Sequence, residues 1–271
     1  MDLEITGRTA LVLGGGGGLG GAIARELAAE GATVVVAGRS AGPLDTTVAE
    51  ITAAGGRAHA LVWDLGELDV VEARIGWIEE TVGGVDILVG NTGGPPPGAV
   101  TAADASVWEM QFRSMVLSVI TITNRVLPGM RERGWGRVIT STSSGVVAPI
   151  PGLGLSNALR STLLGWSKTP AGEVAADGIT ANVVVPGRIA TDRVAFLGRG
   201  QGRARGHDRR GGHRREPRDD PRRPLRRSTR VRPDRHFPRR GARRLHHRVG
   251  RPRRRRLRPG DLNYPTLREP R

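Results

Sequence analysis

The chain of 271 residues carries 42 Lys and Arg against 26 Asp and Glu, a formal net charge of +16, and contains no Cys. That composition excludes disulfides, thiolate catalysis and Cys-ligated zinc, and fits a reducing compartment. The length allows one large α/β domain or two small ones.

The charge is divided unevenly. Residues 1–196 hold 14 Lys and Arg and 19 Asp and Glu, which leaves 28 and 7 of the whole-chain totals for residues 197–271, so the net charges are −5 and +21. An acidic globular body is therefore expected to end near Phe196. The Arg-, Pro-, Gly- and His-rich segment beyond it lacks the apolar periodicity needed to offset chain entropy and is predicted to be disordered. No uninterrupted apolar run approaches the ~20 residues that cross a bilayer. Asp2 and Glu4 stand where a secretory leader would carry basic residues, so a cytoplasmic protein with no membrane partner is expected.

An apolar strand beginning at Thr9 runs directly into the loop Gly14 to Gly18 and then into a helix. Gly14, Gly18 and Gly20 have the spacing G-x-x-x-G-x-G, with Leu19 inside it. Such a loop turns tightly, brings backbone amides close to a pyrophosphate and packs the helix on the strand. The helix start then offers free N–H groups and the positive end of its dipole to an anion. A plain turn is the competing reading of the loop alone.

The alternation continues along the chain. Strands are predicted at Thr33 to Ala37, Arg57 to Val62, Asp86 to Val89, Arg137 to Ser141 and Ile179 to Val185. Helices are predicted from about Pro43 to Ala54, Leu68 to Val82, onward from Ser106, and from about Ser156 to Ala176. Six strands joined by right-handed crossovers build a doubly wound (Rossmann) parallel sheet with helices on both faces.

Five signals occur in order: the loop Gly14/Gly18/Gly20, the pair Asp64-Leu65, the run Gly90-Asn91-Thr92-Gly93, Ser143 after the fifth strand, and Pro186-Gly187 after the sixth. On these, residues 1–196 resemble the short-chain dehydrogenase/reductase family, in particular its 3-oxoacyl-carrier-protein reductase branch. The resemblance implies that Asp64 accepts from an adenine amino group while the Leu65 amide holds the ring. It also implies that Asn91 and Gly93 border the adenine ribose. The competing reading of Asp64 is an ordinary helix N-cap.

The second strand ends Ala37-Gly38-Arg39-Ser40, with no carboxylate for a ribose hydroxyl pair. Arg39 can instead hold a 2′-phosphate bidentately, which favours NADP, with NAD possible; the competing reading is a solvated loop residue. The expected partner is a small-molecule carbonyl substrate, and no metal site is expected. In the family the helix bearing Ser156 and the long helix before it usually make the dimer contact, so a homo-oligomer is implied. The stripe Leu155, Leu159, Leu163, Leu164 and Trp166 fits core or subunit face. The stiff stretches Asn91 to Gly98 and Pro149 to Pro151 either line the mouth of the crevice or merely shape loops.

The catalytic positions depart from the family, in which a Ser polarises the carbonyl, a Tyr transfers the proton, a Lys four residues later lowers the Tyr pKa, and a helical Asn anchors a water chain. Register places Ser143 at the Ser, Ser156 at the Tyr, Arg160 at the Lys and Met115 at the Asn. The only Tyr is Tyr264 and the only Lys is Lys168, so no Tyr-x-x-x-Lys exists anywhere in the chain. An aliphatic hydroxyl is far less acidic than a phenol, and Arg160 can bind ribose hydroxyls without replacing a general acid. Loss of positioned proton transfer predicts a rate penalty of ~10²- to 10⁴-fold. A noncatalytic NADP-binding protein on the same scaffold is the alternative.

Residues 197–271 admit three readings: a frameshift product of a GC-rich gene, a disordered tail, or an Arg-rich nucleic-acid arm. The frameshift reading rests on Leu245 to Arg256, whose codons read one base later can encode Tyr-Ile-Thr-Gly-Ser-Val-Val-Arg-Val-Asp-Gly-Gly, similar to the family's final strand. That strand is then missing from the chain. Near-absence of aromatics argues against nucleic acid, because no stacking platform exists.

Overall fold

A computed structural model of the protein describes residues 3–187 and residue 189. The expectations for residues 197–271, including the tail and the missing last strand, lie outside the described residues.

β1 (Thr9–Leu13) is followed by α1 (Gly18–Ala29), β2 (Thr33–Gly38), α2 (Ala41–Ala53) and β3 (Arg57–Val62). Next come α3 (Val71–Thr81), β4 (Ile87–Gly90), α4 (Ala105–Phe112), α5 (Ser118–Glu132), β5 (Gly136–Ser141), α6 (Gly154–Glu173) and β6 (Ile179–Val184). The six strands form one sheet in the order β3-β2-β1-β4-β5-β6, and every neighbouring pair is parallel. The chain winds outward from β1 to β3 and returns to place β4 on the other side of β1. This reversal opens a crevice at the carboxyl ends of β1 and β4. The doubly wound parallel architecture expected from the sequence is the one observed.

The strands are apolar on both faces because both faces are covered. Along β1, Leu11 and Leu13 enter one core with Ile75 and Ile78 of α3 and Ile122, Val126 and Met130 of α5. Ala10 and Val12 enter the opposite core with Ala24 and Ala28 of α1 and Leu44 and Ile51 of α2. Each Leu or Ile wholly removed from water contributes about 1.5–3 kcal/mol, so these two layers are the main source of stability. A third cluster joins Met115, Val116 and Val119 to Leu155, Leu159 and Leu163 of α6, with Trp166 packed against it.

At the amino ends of the strands, Asp86 is buried and accepts from the Thr9 amide at 3.2 Å and from Arg133 Nε at 2.9 Å. The Arg8 and Arg137 guanidinium carbons lie 4.1 and 4.3 Å from the Trp135 ring centroid. Between α3 and α5, Arg125 pairs bidentately with Glu79 and donates Nε to Glu72 at 2.7 Å. Hydrogen bonds to Glu79 and then Glu72 hold its pKa above the ordinary arginine value.

Several boundaries differ from the sequence reading. α2 starts at Ala41, two residues before Pro43, because a proline in the first turn forfeits no intrahelical hydrogen bond. The stretch predicted as one helix from Leu68 opens with a 3-10 turn, Leu68–Val70, before α3. α6 begins at Gly154 and ends at Glu173; the remaining residues form a separate turn, Ala175–Asp177, closed by Gly178 at φ +71°. The helix expected onward from Ser106 is interrupted by a π-turn at Arg113–Leu117. The wider turn lets two successive residues, Met115 and Val116, both face the packed side. β4 is shifted one residue, to Ile87–Gly90, and β6 stops at Val184.

Candidate functional site

The loop from β1 to α1 lies at the carboxyl end of the central strand. Gly14 has φ +64°, and a Cβ there would sit 2.7 Å from the Asn91 carbonyl oxygen. A Cβ on Gly20 would collide with the Gly14 carbonyl oxygen. These two glycines are required by close approach, while Gly18, at φ +53°, is required by backbone conformation. The structure adds two glycines to those singled out by spacing. Gly15 has no room for a side chain, since its Cβ would lie 2.7 Å from that of Val36; Gly17 has φ +136°. The unbroken run of five glycines was their signal. Gly17 is the N-cap of α1 and supplies no side-chain hydrogen bond, so the first amides of the helix, including that of half-buried Leu19, have no side-chain cap.

Residues from neighbouring strands border the same cleft. Asn91 Nδ2 donates to the Leu13 carbonyl at 3.2 Å and ties the end of β4 to the end of β1. Arg39 and Ser40 are exposed between β2 and α2; Ser40 is the N-cap of α2 without a side-chain hydrogen bond. The Trp63 amide donates to the Gly38 carbonyl and leads the chain into Asp64. Asp64 Oδ1 accepts from the Gly66 amide at 2.9 Å. It therefore caps a tight turn two residues ahead, and not a helix. Leu65 is half-buried against the core. Around Gly93 there is open space. Pro186 follows β6, and its carbonyl accepts from the Ser144 amide at 2.9 Å; Gly187 is exposed.

The candidate catalytic residues converge on the carboxyl end of β5. Ser143 is half-buried, and its hydroxyl oxygen accepts from the Gly145 amide at 3.2 Å. Ser156 is buried in the first turn of α6, and its hydroxyl makes no hydrogen bond within the described residues. One turn later Arg160, also buried, donates Nη1 to the Ser141 carbonyl at 3.1 Å. Its Nη2 donates to the carbonyls of Thr92 and Gly93 at 3.3 and 3.1 Å. The sequence allowed this guanidinium to serve ribose hydroxyls; in the structure it clasps the ends of β4 and β5. Thr92, part of the Gly90 to Gly93 run but given no role there, carries a buried hydroxyl without a hydrogen-bond partner among the described residues. Met115 packs among Val116, Val119 and the α6 leucines.

A cavity of about 230 Å³ adjoins α6, lined by Pro96, Pro97, Ala99, Ala103, Val107 and Leu155 among others. The proline-rich stretch after β4 lines this cavity at Pro96 to Gly98, whereas Pro149 to Pro151 do not. The two stretches meet where the Gly98 amide donates to the Gly152 carbonyl at 2.8 Å.

The family model described as short chain dehydrogenase matches residues 8–201. The chain belongs to the short-chain dehydrogenase family. Dehydrogenase/reductase SDR family member 4 of Sus scrofa is 36% identical over 186 residues, which are 68% of this chain and 67% of that protein. Ketoacyl reductase HetN of a Nostoc species is 34% identical over 188 residues, 69% of this chain and 65% of the relative. The chain thus spans about two thirds of these relatives. Among solved structures, L-sorbose reductase from Gluconobacter frateurii, complexed with NADPH and L-sorbose, superimposes with a TM-score of 0.71 at 30% identity. That match covers 77% of this chain and 80% of the other. An actinorhodin polyketide ketoreductase variant with NADPH gives a TM-score of 0.69 at 32% identity, over 74% and 78% of the two chains.

Within this short-chain dehydrogenase the cleft divides into two parts. Its glycine loop and sheet switch point are sterically complete. Its other end holds Ser156, Arg160 and Met115, the positions at which the resemblance read from the sequence implies Tyr, Lys and Asn.

Proposed function

We propose that the protein binds a nicotinamide dinucleotide, NADP(H) ahead of NAD(H), and reduces a small carbonyl substrate such as a 3-oxoacyl thioester or ketone, slowly. The observation that carries this reading is the loop at the β1–α1 junction. Its Gly14 and Gly20 admit no Cβ, and its helix amides are uncapped, which fits the backbone cradle a diphosphate requires. Gly14, Gly18, Leu19 and Gly20 would hold the diphosphate, Arg39 and Ser40 a 2′-phosphate, and Asp64, Leu65, Asn91 and Gly93 the adenosine. Pro186 and Gly187 would border the nicotinamide end.

When bound, the coenzyme supplies hydride, and the protein supplies position and electrostatics. Ser143 and Ser156 would both donate to the substrate carbonyl oxygen. Ser143 can do so because its oxygen accepts from the Gly145 amide, which leaves its proton to donate; Ser156 can because its hydroxyl is otherwise unengaged. With no phenol present, water would deliver the proton. Arg160 would act on the site through the carbonyls of Ser141, Thr92 and Gly93, holding the two loops that frame it.

That engagement of Arg160 is also what favours the second reading, a noncatalytic NADP-binding protein. Titration of NADPH and NADH by calorimetry separates a binder from a nonbinder. Turnover with a panel of 3-oxoacyl thioesters and small ketones separates an enzyme from a binder. Absence of binding to either coenzyme overturns both readings, and turnover at the level of an intact family member overturns the slow-catalysis reading. The half-buried Trp108, Phe112 and Trp166 beside the third apolar cluster support assembly of copies through α4, α5 and α6. Among the described residues no helix is long and apolar enough to cross a membrane.

A further inference from the structure

Arg113 is the first residue of the π-turn between α4 and α5, and no part of the proposed coenzyme contact set includes it. Its Nε donates to the Gly66 carbonyl at 2.6 Å. The amide of the same Gly66 donates to Asp64 Oδ1 at 2.9 Å, and the Glu67 amide donates to the Asp64 carbonyl at 2.9 Å. Gly66 is thus held from both sides, by an arginine from the π-turn and by the carboxylate two residues before it. The approach is close: a Cβ on Gly66 would lie 3.3 Å from Asp64 Oδ1 and 3.8 Å from Ser114 Cβ. The Arg113 to Asp69 contact, at 3.6 Å between exposed groups, is secondary.

We infer that Arg113 is a positioning residue for adenine recognition: by fixing the Asp64–Gly66 turn it aims Asp64 Oδ2 at the amino group of the base. The inference rests on the proposed dinucleotide site. Asp64 Oδ1 is committed to the turn, and Oδ2 bears no hydrogen bond within the described residues, so one oxygen sets orientation and the other is left for a donor. The guanidinium makes a short charge-assisted bond, which restricts the turn more than a neutral donor would. Without it the peptide at Gly66 regains rotational freedom, and the carboxylate with it. The same contact links the adenine turn to the π-turn carrying Met115.

The test compares NADPH with its purine analogue, in which hydrogen replaces the 6-amino group, so that the edge facing Asp64 carries no donor. Affinities of the full chain are measured by calorimetry for the native protein, Arg113→Gln, Arg113→Lys and Asp69→Asn. The native protein is expected to prefer NADPH. Arg113→Gln should lose about 5- to 10-fold in NADPH affinity while binding the analogue as before, so that the preference collapses. Arg113→Lys should retain part of it, and Asp69→Asn nearly all. Equal loss for both ligands, or no loss for either, overturns the inference while leaving the dinucleotide site intact. A native protein that binds neither coenzyme overturns the site and the inference together, and one that binds both equally overturns the role of Asp64.

Discussion

Arg160 reaches from α6 to the Ser141 carbonyl, 3.1 Å from its Nη1, and joins the helix to the end of β5. Two further bonds from Nη2 to the Thr92 and Gly93 carbonyls bring in the loop after β4. Three carbonyls, those of buried Ser141 and Thr92 and of exposed Gly93, therefore share a single side chain. Arg160→Met keeps the apolar stem but orphans them, and the expected cost is about 2–4 kcal/mol in urea denaturation. Arg160→Lys, with one compact donor group, should fall between.

Gly20→Ala places a methyl group against the Gly14 carbonyl. Coenzyme binding should disappear, and stability should fall by ~1–3 kcal/mol as the loop strains to accommodate it. Calorimetric titration and thermal unfolding read the two effects separately. Gly93→Ala, which meets open space, serves as the control that retains fold and stability.

The strand–helix alternation and the glycine loop were legible because they rest on local rules. β1 and β2 are apolar runs bounded by glycine, and Gly14 and Gly20 mark the junction by spacing alone. The π-turn at Arg113–Leu117 was not legible, because nothing in Arg-Ser-Met-Val-Leu departs from helical patterning; packing against α6 decides it. The acceptors of Arg160 were likewise hidden. Helical spacing places Arg160 one turn after Ser156, but carbonyls at residues 92, 93 and 141 become its partners only once the sheet assembles. Asp64 shows the same limit at shorter range, where an N-cap and a turn cap share one sequence signature.

Arg39 is exposed and makes no hydrogen bond or ion pair within the described residues. Arg39→Ala should weaken NADPH about 10- to 100-fold, the value of a charge-assisted contact to phosphate, and leave NADH affinity where it was. Parallel titrations with the two coenzymes check this directly. A matching loss for NADH would place the side chain elsewhere in the cleft.

Ser143→Ala and Ser156→Ala should each lower carbonyl reduction by ~10²-fold, as when one positioned donor to a developing oxyanion is removed. Coenzyme affinity should stay the same in both. Steady-state turnover alongside coenzyme titration distinguishes this from a general loss of fold.

Ser156 and Arg160 stand one turn apart on α6. Neither an aliphatic hydroxyl nor a guanidinium exchanges its charge in the neutral range. A site built on them has nothing to ionise between mild acid and mild base. Its velocity should therefore trace a plateau across that span, where a reductase with a phenol as its acid would lose rate as that phenol ionises.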